Sequence, residues 1–124
     1  MKPIGYKFVE AGLAGKRFTD KAPDMPLGRL NYVILNDGSW KFDFEAKEDT
    51  GETIISYADF ESGYRAAADI NYDYGKAVEE GKFRVEGSFE DAMKMGAMMS
   101  DIVTAFKKAI EDTEKKFSVE LPKY

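Results

Sequence analysis

Neighbouring carboxylates are the residues of this chain that could do acid–base chemistry. The pairs are Asp43 with Glu45, Glu79 with Glu80, and Glu90 with Asp91. General acid–base catalysis needs a carboxyl that is buried beside the reacting bond, where its pKa moves toward neutrality. These pairs fall instead on predicted solvent-facing surfaces or at helix starts. We therefore expect none of them to be catalytic.

Cysteine and histidine are both missing from the 124 residues. Their absence removes thiol chemistry, the usual acid–base residue at neutral pH, most zinc sites and every Ser-His-Asp arrangement. The acidic residues of segment 69–74 are not followed by the glycine and distal glutamate of a calcium loop. The sequence thus predicts a protein that is not an enzyme, with no metal site and no cofactor.

Two tyrosines lie among the acids of segment 69–74, whose sequence is Asp-Ile-Asn-Tyr-Asp-Tyr. Tyr72 and Tyr74 could hydrogen-bond the head group of a ligand at a polar mouth. Alternatively, the segment links two helices and Asp73 caps the second one. The composition favours the linking segment but leaves the polar mouth open.

Methionine is concentrated in one short stretch. Met93, Met95, Met98 and Met99 are four of the six methionines in the chain. Met is flexible and polarizable, so these side chains could form a deformable wall for an apolar ligand or fill gaps in an ordinary core. Met95 and Met99 fall on the predicted buried face of a helix, whereas Met93 does not. Both interpretations remain open.

Alternating apolar residues predict the strands that must position these side chains. A hairpin is predicted from Arg29 to Ala46, with its turn at Asp37-Gly38. In its second strand Trp40, Phe42, Phe44 and Ala46 would share the buried face. Further strands are predicted over 52–56 and 82–86.

The two ends of the chain are harder to assign from their residues. Ile4, Tyr6 and Phe8 alternate, which predicts a short strand within residues 1–10. Glycines and prolines predict a loop over residues 11–26. The tail Phe-Ser-Val-Glu-Leu-Pro-Lys-Tyr at 117–124 is predicted to add a last strand.

Apolar residues spaced by three or four predict the helices. Two helices are expected between Ser56 and Gly81, the first opened by a Ser56–Asp59 capping box. Ser88 would cap a single long helix that runs to about Lys115. The order of elements predicts an α+β fold: one sheet of about five strands, mostly antiparallel, with helices on one face and a long C-terminal helix.

The formal net charge is −5, and no basic face concentrates the lysines and arginines. A nucleic-acid partner is therefore not expected. No apolar run approaches the roughly 18 residues that span a bilayer. The N-terminus also lacks the apolar core of a signal peptide. We expect no transmembrane segment and a cytoplasmic location.

A run of short motifs extends from Ser56 to Met95. A helix starts with Ser-x-x-Asp-Phe at Ser56, and Ala77 lies near the end of the next helix. The segment Gly-Lys-Phe-x-Val-x-Gly over 81–87 follows, and then Ala-Met-Lys-Met over 92–95. Together with the tryptophan strand before it, this run resembles the sterol carrier protein 2 family of lipid-binding domains. Residues 1–26 differ, because the family usually opens with an amphipathic helix.

The resemblance implies an apolar tunnel between sheet and helices that holds a fatty acid, a fatty acyl-CoA or a sterol-like lipid without catalysis. Residues 1–124 would form one such domain, with a divergent N-terminal segment over 1–26. The residues expected to line the site are Phe42, Phe44, Phe60, Tyr64, Phe83, Met95, Met98, Met99, Ile102 and Phe106.

The alternative function is a dimerising interaction or structural module with a filled core. Such a module would act beside a separately encoded enzyme. The long helix has enough apolar width to contact a second subunit as well as its own sheet, so a homodimer is possible.

Overall fold

The computed structural model of the protein describes residues 4–25 and 28–123. Five helices and five strands follow one another along this part of the chain. In order they are α1 (Ile4–Glu10), β1 (Arg17–Lys21), β2 (Arg29–Ile34), β3 (Trp40–Asp43), β4 (Thr53–Tyr57), α2 (Phe60–Ala68), α3 (Tyr74–Glu79), β5 (Phe83–Gly87), α4 (Phe89–Ala97) and α5 (Met99–Phe117).

The strands form one sheet in the order β3-β2-β1-β4-β5. Neighbouring strands are antiparallel except for the central pair, in which β1 and β4 run parallel. The predicted α+β class is confirmed, but the sheet is mixed, which corrects the prediction of a mostly antiparallel one. The cause is the connection over residues 44–52, which returns the chain across the sheet and places β4 beside β1 instead of β3.

This connection crosses the outer face of the sheet, which carries Thr19 and Asn31. Both side chains are buried beneath it. Thr19 Oγ1 donates to Asn31 Oδ1 at 2.6 Å and accepts from the Gly51 amide at 2.8 Å. Asn31 Oδ1 also accepts from the Thr50 amide at 3.2 Å. The buried polar groups are thereby paired, and the connection is held against β1 and β2.

The inner face of the sheet carries the core. Strand register aligns Phe18 with Tyr32 on one side and with Thr53 on the other. The buried apolar cluster comprises Phe8, Leu13, Phe18, Tyr32, Ile34, Ile55, Met95 and Met98. The helices contribute Phe8 from α1 and both methionines from α4 and its end, so they cover this face as predicted.

Helices α2 and α3 lie on the same side of the sheet. Gly63 of α2 passes so close to Tyr57 that an added Cβ would lie 3.2 Å from the ring. Tyr74 of α3 packs edge-on against Phe83, with ring centroids 5.1 Å apart. The inner face is thus enclosed by helices from both parts of the chain.

The strand predicted over residues 1–10 is wrong where the structure describes it, because residues 4–10 form α1; residues 1–3 lie outside the described residues. The helix packs Phe8 edge-on against Trp40 at a centroid distance of 5.3 Å. Its backbone at Gly5 touches the β2–β3 turn, where a Cβ on Gly38 would lie within 1.7 Å of the Gly5 carbonyl oxygen. Long-range packing therefore decides the conformation of this segment.

The loop predicted over residues 11–26 contains the central strand β1; Pro26 lies outside the described residues. Phe18 of this strand is fully buried. The strand has only five residues, two of them charged and facing outward, so its local apolar pattern is weak. Its place between β2 and β4 comes from pairing with segments distant in sequence.

The single long helix predicted after Ser88 is in fact two helices, α4 and α5, with a break at Met98. The Met98 amide donates to the carbonyl of Met95, three residues earlier, as in a 3₁₀ turn. Gly96 and Ala97 precede the break, and glycine weakens a helix. Ser88 caps α4 as predicted, because its side chain accepts from the Asp91 amide.

The tail over 118–123 forms no strand, contrary to the prediction; Tyr124 lies outside the described residues. Ser118 adopts a left-handed conformation that ends α5. The chain then folds back, and Glu114 accepts hydrogen bonds from the Leu121 amide and from Lys123. The tail is thus anchored to α5 instead of the sheet.

The start of α2 and the end of β3 differ from their predicted positions. Asp59, not Ser56, caps α2, since its carboxylate accepts from the Ser62 amide at 2.7 Å and Ser56 belongs to β4. The tryptophan strand stops at Asp43, because the Asp43 carboxylate accepts from the amides of Glu45 and Ala46 and turns the chain. Phe44 and Ala46 therefore leave the face that they were predicted to share.

Candidate functional site

One half of the inner face is a continuous surface of aromatic rings. Trp40 stacks on Tyr32 at a centroid distance of 4.8 Å with an angle of 6° between the rings. Tyr32 in turn stacks on Phe18 at 5.6 Å. Phe42 lies beside both Tyr32 and Trp40 at the β3 edge and is 41% exposed. The array is therefore buried at its centre and open at this edge.

The other half combines aromatic rings with hydroxyl groups. Tyr57 packs against Phe83 at 5.5 Å, and Tyr74 approaches the same ring from α3. Tyr72 meets Tyr74 edge-on at 4.8 Å. Segment 69–74 links the helices as predicted, since Asp73 caps α3 by accepting from the Lys76 amide. Even so, Tyr74 extends to the inner face.

Asp20 is the one acidic side chain of the described residues at an inward position of the strands. Strand alternation turns it to the same face as Phe18, and the register sets it between Leu30 and Ile55. The Tyr32 hydroxyl donates to its Oδ1 at 3.1 Å. Desolvation raises the pKa of Asp20 to about 7, and the Tyr32 hydrogen bond lowers it less than burial raises it.

The phenols around Asp20 remain protonated. Desolvation comes first in raising the pKa of both Tyr32 and Tyr57, and the charge of Asp20 adds to it. The pKa of Tyr74 is raised as well, again with desolvation as the largest cause. The inner face therefore holds one ionisable carboxyl among neutral hydroxyl groups.

The predicted site residues fall into four places. Phe83, Met95, Met98 and Ile102 belong to the core or pack directly against it. Phe60, Tyr64 and Phe106 form a second aromatic cluster between α2 and α5, with centroid distances of 6.3 and 5.4 Å. Phe42 and Phe44 stack on each other at the β3 edge, and Phe44 is 64% exposed. Met99 is half-buried at the start of α5.

Two hollows open on the protein. A cavity of about 140 Å³ is lined by α5, Ala68 and the tail, including Ile110 and Pro122. An open groove of about 560 Å³ lies along the outer face and the β3 edge, where it includes Tyr32, Phe42 and Phe44. Apart from these two phenylalanines, the predicted site residues line neither hollow.

Sequence reasoning missed Asp20, Tyr32 and Tyr57 as inner-face groups. Residues 17–21 do alternate, with Phe18 and Asp20 on one side and Thr19 and Lys21 on the other. That signal indicates where Asp20 points only if the segment is recognised as a strand. Tyr32 and Tyr57 likewise share the inward side of their own strands, two residues away from Ile34 and Ile55.

No metal-binding group of three His, Cys, Asp or Glu side chains occurs within residues 4–25 and 28–123. The same residues contain no helix that is long and apolar enough to cross a membrane. The chemistry that the inner face offers is thus apolar contact, hydrogen bonding through phenols, and one carboxyl.

No protein-family profile matches the chain, and no curated protein sequence matches it. Solved structures do. A UbiJ-SCP2 ubiquinone synthesis protein aligns with a TM-score of 0.58 and 12% identity, over 77% of this chain and 78% of its own. The sterol carrier protein domain 2 of Helicoverpa armigera aligns with a TM-score of 0.55 and 15% identity, over 83% and 91%.

An enzyme also contains this fold. The inverting sec-alkylsulfatase Pisa1 from Pseudomonas sp. aligns with a TM-score of 0.58 and 12% identity, over 77% of this chain but 14% of its own. At these identities the likeness concerns the fold, and it agrees with the motifs between Ser56 and Met95. The chain has the fold of sterol carrier protein 2 domains.

Proposed function

We propose that this protein binds a lipid between the inner face of its sheet and the helices, without catalysing a reaction. The ligand class is a fatty acid, a fatty acyl-CoA or a sterol-like molecule. The observation that carries the proposal is the aromatic array of Trp40, Tyr32 and Phe42, which is continuous, contacted by Phe8 of α1 and open at the β3 edge.

Two polar side chains of the inner face are incompletely covered by protein. Asp20 and Tyr57 lie on adjacent strands, and both are half-buried. The proposed ligand would lie along these partly exposed groups.

The solved relatives support the same class of ligand. One of them is named a sterol carrier protein domain, and another is named for ubiquinone synthesis. In the alkylsulfatase the matching part is a small fraction of the chain, so the fold by itself does not imply its reaction. A binding role without catalysis also agrees with a sequence that lacks cysteine and histidine.

The driving force would be burial of the alkyl chain. Each CH₂ removed from water contributes about 0.8 kcal/mol. A ten-carbon chain would therefore supply several kcal/mol after the ordering costs of binding.

The ten residues predicted to line the site remain our proposed lining. Phe83, Met95, Met98 and Ile102 would contact the alkyl chain from the core side. Phe42 would lie at the entrance, where it is exposed and adjoins the array. Phe44, Phe60, Tyr64, Met99 and Phe106 would line the outer parts of the path.

Trp40 provides the assay, because it is the one tryptophan of the sequence and belongs to the array. The protein is stripped of lipid and titrated with dodecanoate and with dodecan-1-ol, while Trp40 fluorescence is recorded. We expect a saturable change, and Phe42→Ala should weaken binding about threefold to tenfold through lost apolar contact. Phe117→Ala is the matched control, since this ring is 62% exposed at the end of α5.

The result that contradicts the proposal is equally direct. If neither probe changes the fluorescence and calorimetry detects no saturable heat, the protein does not bind lipids of this class. Equal losses from Phe42→Ala and Phe117→Ala would show that the β3 edge is not the entrance.

The fold comparisons do not favour the alternative of a dimerising module with a filled core. We further propose that residues 1–124 form a single domain, since strand β1 from the divergent segment occupies the centre of the sheet. Limited proteolysis should then give no stable fragment that lacks β1. The cytoplasmic location stays a prediction, which cell fractionation would test.

A further inference from the structure

Among the strand residues that the structure describes, the inner face has a carboxyl, Asp20, but no lysine or arginine; Lys16, just before β1, pairs with the buried Asp91 of α4 at 3.8 Å. Asp20 occupies an inward position of β1, between Leu30 and Ile55 in the strand register. The strand lysines and arginines that the structure describes occupy the opposite, outward positions: Arg17, Lys21, Arg29, Lys41 and Arg84. Lys82, just before β5, pairs with Glu80 instead.

A phenol hydroxyl group contacts this carboxyl. The Tyr32 hydroxyl of β2 donates to Asp20 Oδ1 at 3.1 Å. The charge of Asp20 also raises the pKa of Tyr57 of β4 and of Tyr74 of α3. The Tyr74 hydroxyl donates to the Ala66 carbonyl at 3.1 Å, which fixes that ring. Asp20 and Tyr32 thus form a hydrogen-bonded polar pair on a face that consists mainly of aromatic and aliphatic side chains.

The chemistry of this pair suits one kind of head group. A protonated carboxyl can donate its hydrogen to a carbonyl or hydroxyl oxygen, and an ionised one can accept from a hydroxyl. A carboxylate or phosphate beside Asp20 would enter a poorly solvated space, would find no lysine or arginine on the inward positions of the described strands, and would meet the charge of Asp20. Burial of an unpaired anion is strongly unfavourable.

We propose that the Asp20–Tyr32 pair is the polar end of the lipid site and selects lipids with an uncharged hydroxyl or carbonyl head group over anionic lipids. The inference rests on the proposed lipid binding and narrows its ligand class to sterol-like molecules, long-chain alcohols and ketones. Fatty acid and acyl-CoA anions would be held less tightly.

The test compares two probes with the same alkyl chain, dodecan-1-ol and dodecanoate, by displacement titration at pH 8. The wild-type protein should bind dodecan-1-ol about tenfold or more tightly than dodecanoate, because burial of the unpaired carboxylate charge is unfavourable. Asp20→Asn keeps the size of the side chain and removes its charge. It should reduce this preference several-fold, mainly by tighter binding of dodecanoate.

Glu86→Gln is the matched control. It removes the same charge from an outward position of β5, where Glu86 is exposed and pairs with Arg84. This variant should keep the wild-type preference. Tyr32→Phe is a second variant that retains the stacked ring and removes the hydroxyl, and it should weaken dodecan-1-ol several-fold while changing dodecanoate less.

The outcomes separate this inference from the proposed function. If both probes bind and their ratio is the same in wild type, Asp20→Asn and Tyr32→Phe, lipid binding stands and the head-group selection is wrong. If neither probe binds the wild-type protein, the proposed function itself fails. A ratio that falls in Asp20→Asn and not in Glu86→Gln supports the inference.

Discussion

Asp20 couples the stability of the protein to pH through its position on the inner face. Its pKa of about 7 in the folded state exceeds the model-peptide value of 3.8. Between these two values the folded state binds the proton and the unfolded state does not. The contribution of Asp20 to the free energy of unfolding is therefore greatest below pH 4, and it is lost as the pH rises toward 7.

Asp20→Asn should remove this pH dependence, because the amide does not ionise. Between pH 5 and pH 8 the free energy of unfolding of the variant should rise relative to wild type by roughly 2–3 kcal/mol, because each pH unit between pH 5 and the folded pKa of about 7 contributes about 1.4 kcal/mol. Urea unfolding of both proteins at the two pH values measures the difference. A difference that stays constant between pH 5 and pH 8 would show that Asp20 is not desolvated.

Individual residues were predicted well where apolar periodicity is strong. Phe83, Met95 and Met98 were expected to face the interior, and each belongs to the core or packs against it. Whether they also contact a ligand stays a prediction. Asp20 was missed, because its inward direction follows only from a strand that local sequence does not reveal.

The connection over residues 44–52 is the element that depends most on close packing. An added Cβ at Gly51 would lie 2.4 Å from the Thr19 amide nitrogen and 2.5 Å from the Phe18 carbonyl carbon. Both are backbone atoms of the central strand, so they cannot move aside easily. The hydrogen bond from the Gly51 amide to Thr19 Oγ1 depends on the same close approach.

Gly51→Ala should therefore destabilise the protein by about 1–3 kcal/mol. Gly96→Ala is the control, because no atom lies within 4 Å of its added Cβ and the position is helical. That substitution should be neutral or stabilising by up to about 1 kcal/mol. Thermal and urea unfolding provide both values; equal effects at the two glycines would show that residues 44–52 do not press on β1.

Local chemistry explains which elements were predicted correctly. The caps at Asp73 and Ser88 depend on residues three positions away, so the sequence reveals them directly. The turn at Gly38, with φ of +85°, and the end of α3 at Gly81, with φ of +71°, are equally local. Helix α1 and strand β1 depend instead on partners far along the chain, and both were predicted wrongly.

The topology of the whole sheet could not be inferred from its strands. The pattern of each strand is compatible with either neighbour order, and a run of strands joined by turns predicts antiparallel pairing. The parallel pairing of β1 with β4 arises because residues 44–52 cross the outer face and bury Thr19 and Asn31. The motifs between Ser56 and Met95 nevertheless indicated the correct fold, because they resemble motifs of sterol carrier protein 2 domains and do not depend on strand pairing.

The whole-molecule architecture assigns different roles to the two faces of the sheet. Polar pairs and the crossing connection occupy the outer face, whereas aromatic rings, Asp20 and the helices share the inner one. A lipid that binds as proposed must therefore contact inward residues and leave outward ones unaffected. This contrast gives the proposal its most specific consequence.

Isotope-filtered NMR of the ¹³C-labelled protein with unlabelled dodecan-1-ol tests that consequence directly. The expected result is a set of intermolecular NOEs from the alkyl chain to Trp40, Phe42, Ile55 and Ile102. The contradicting result would be NOEs confined to outward positions such as Val33 and Ile54, or to exposed Met93, with none to the inner face.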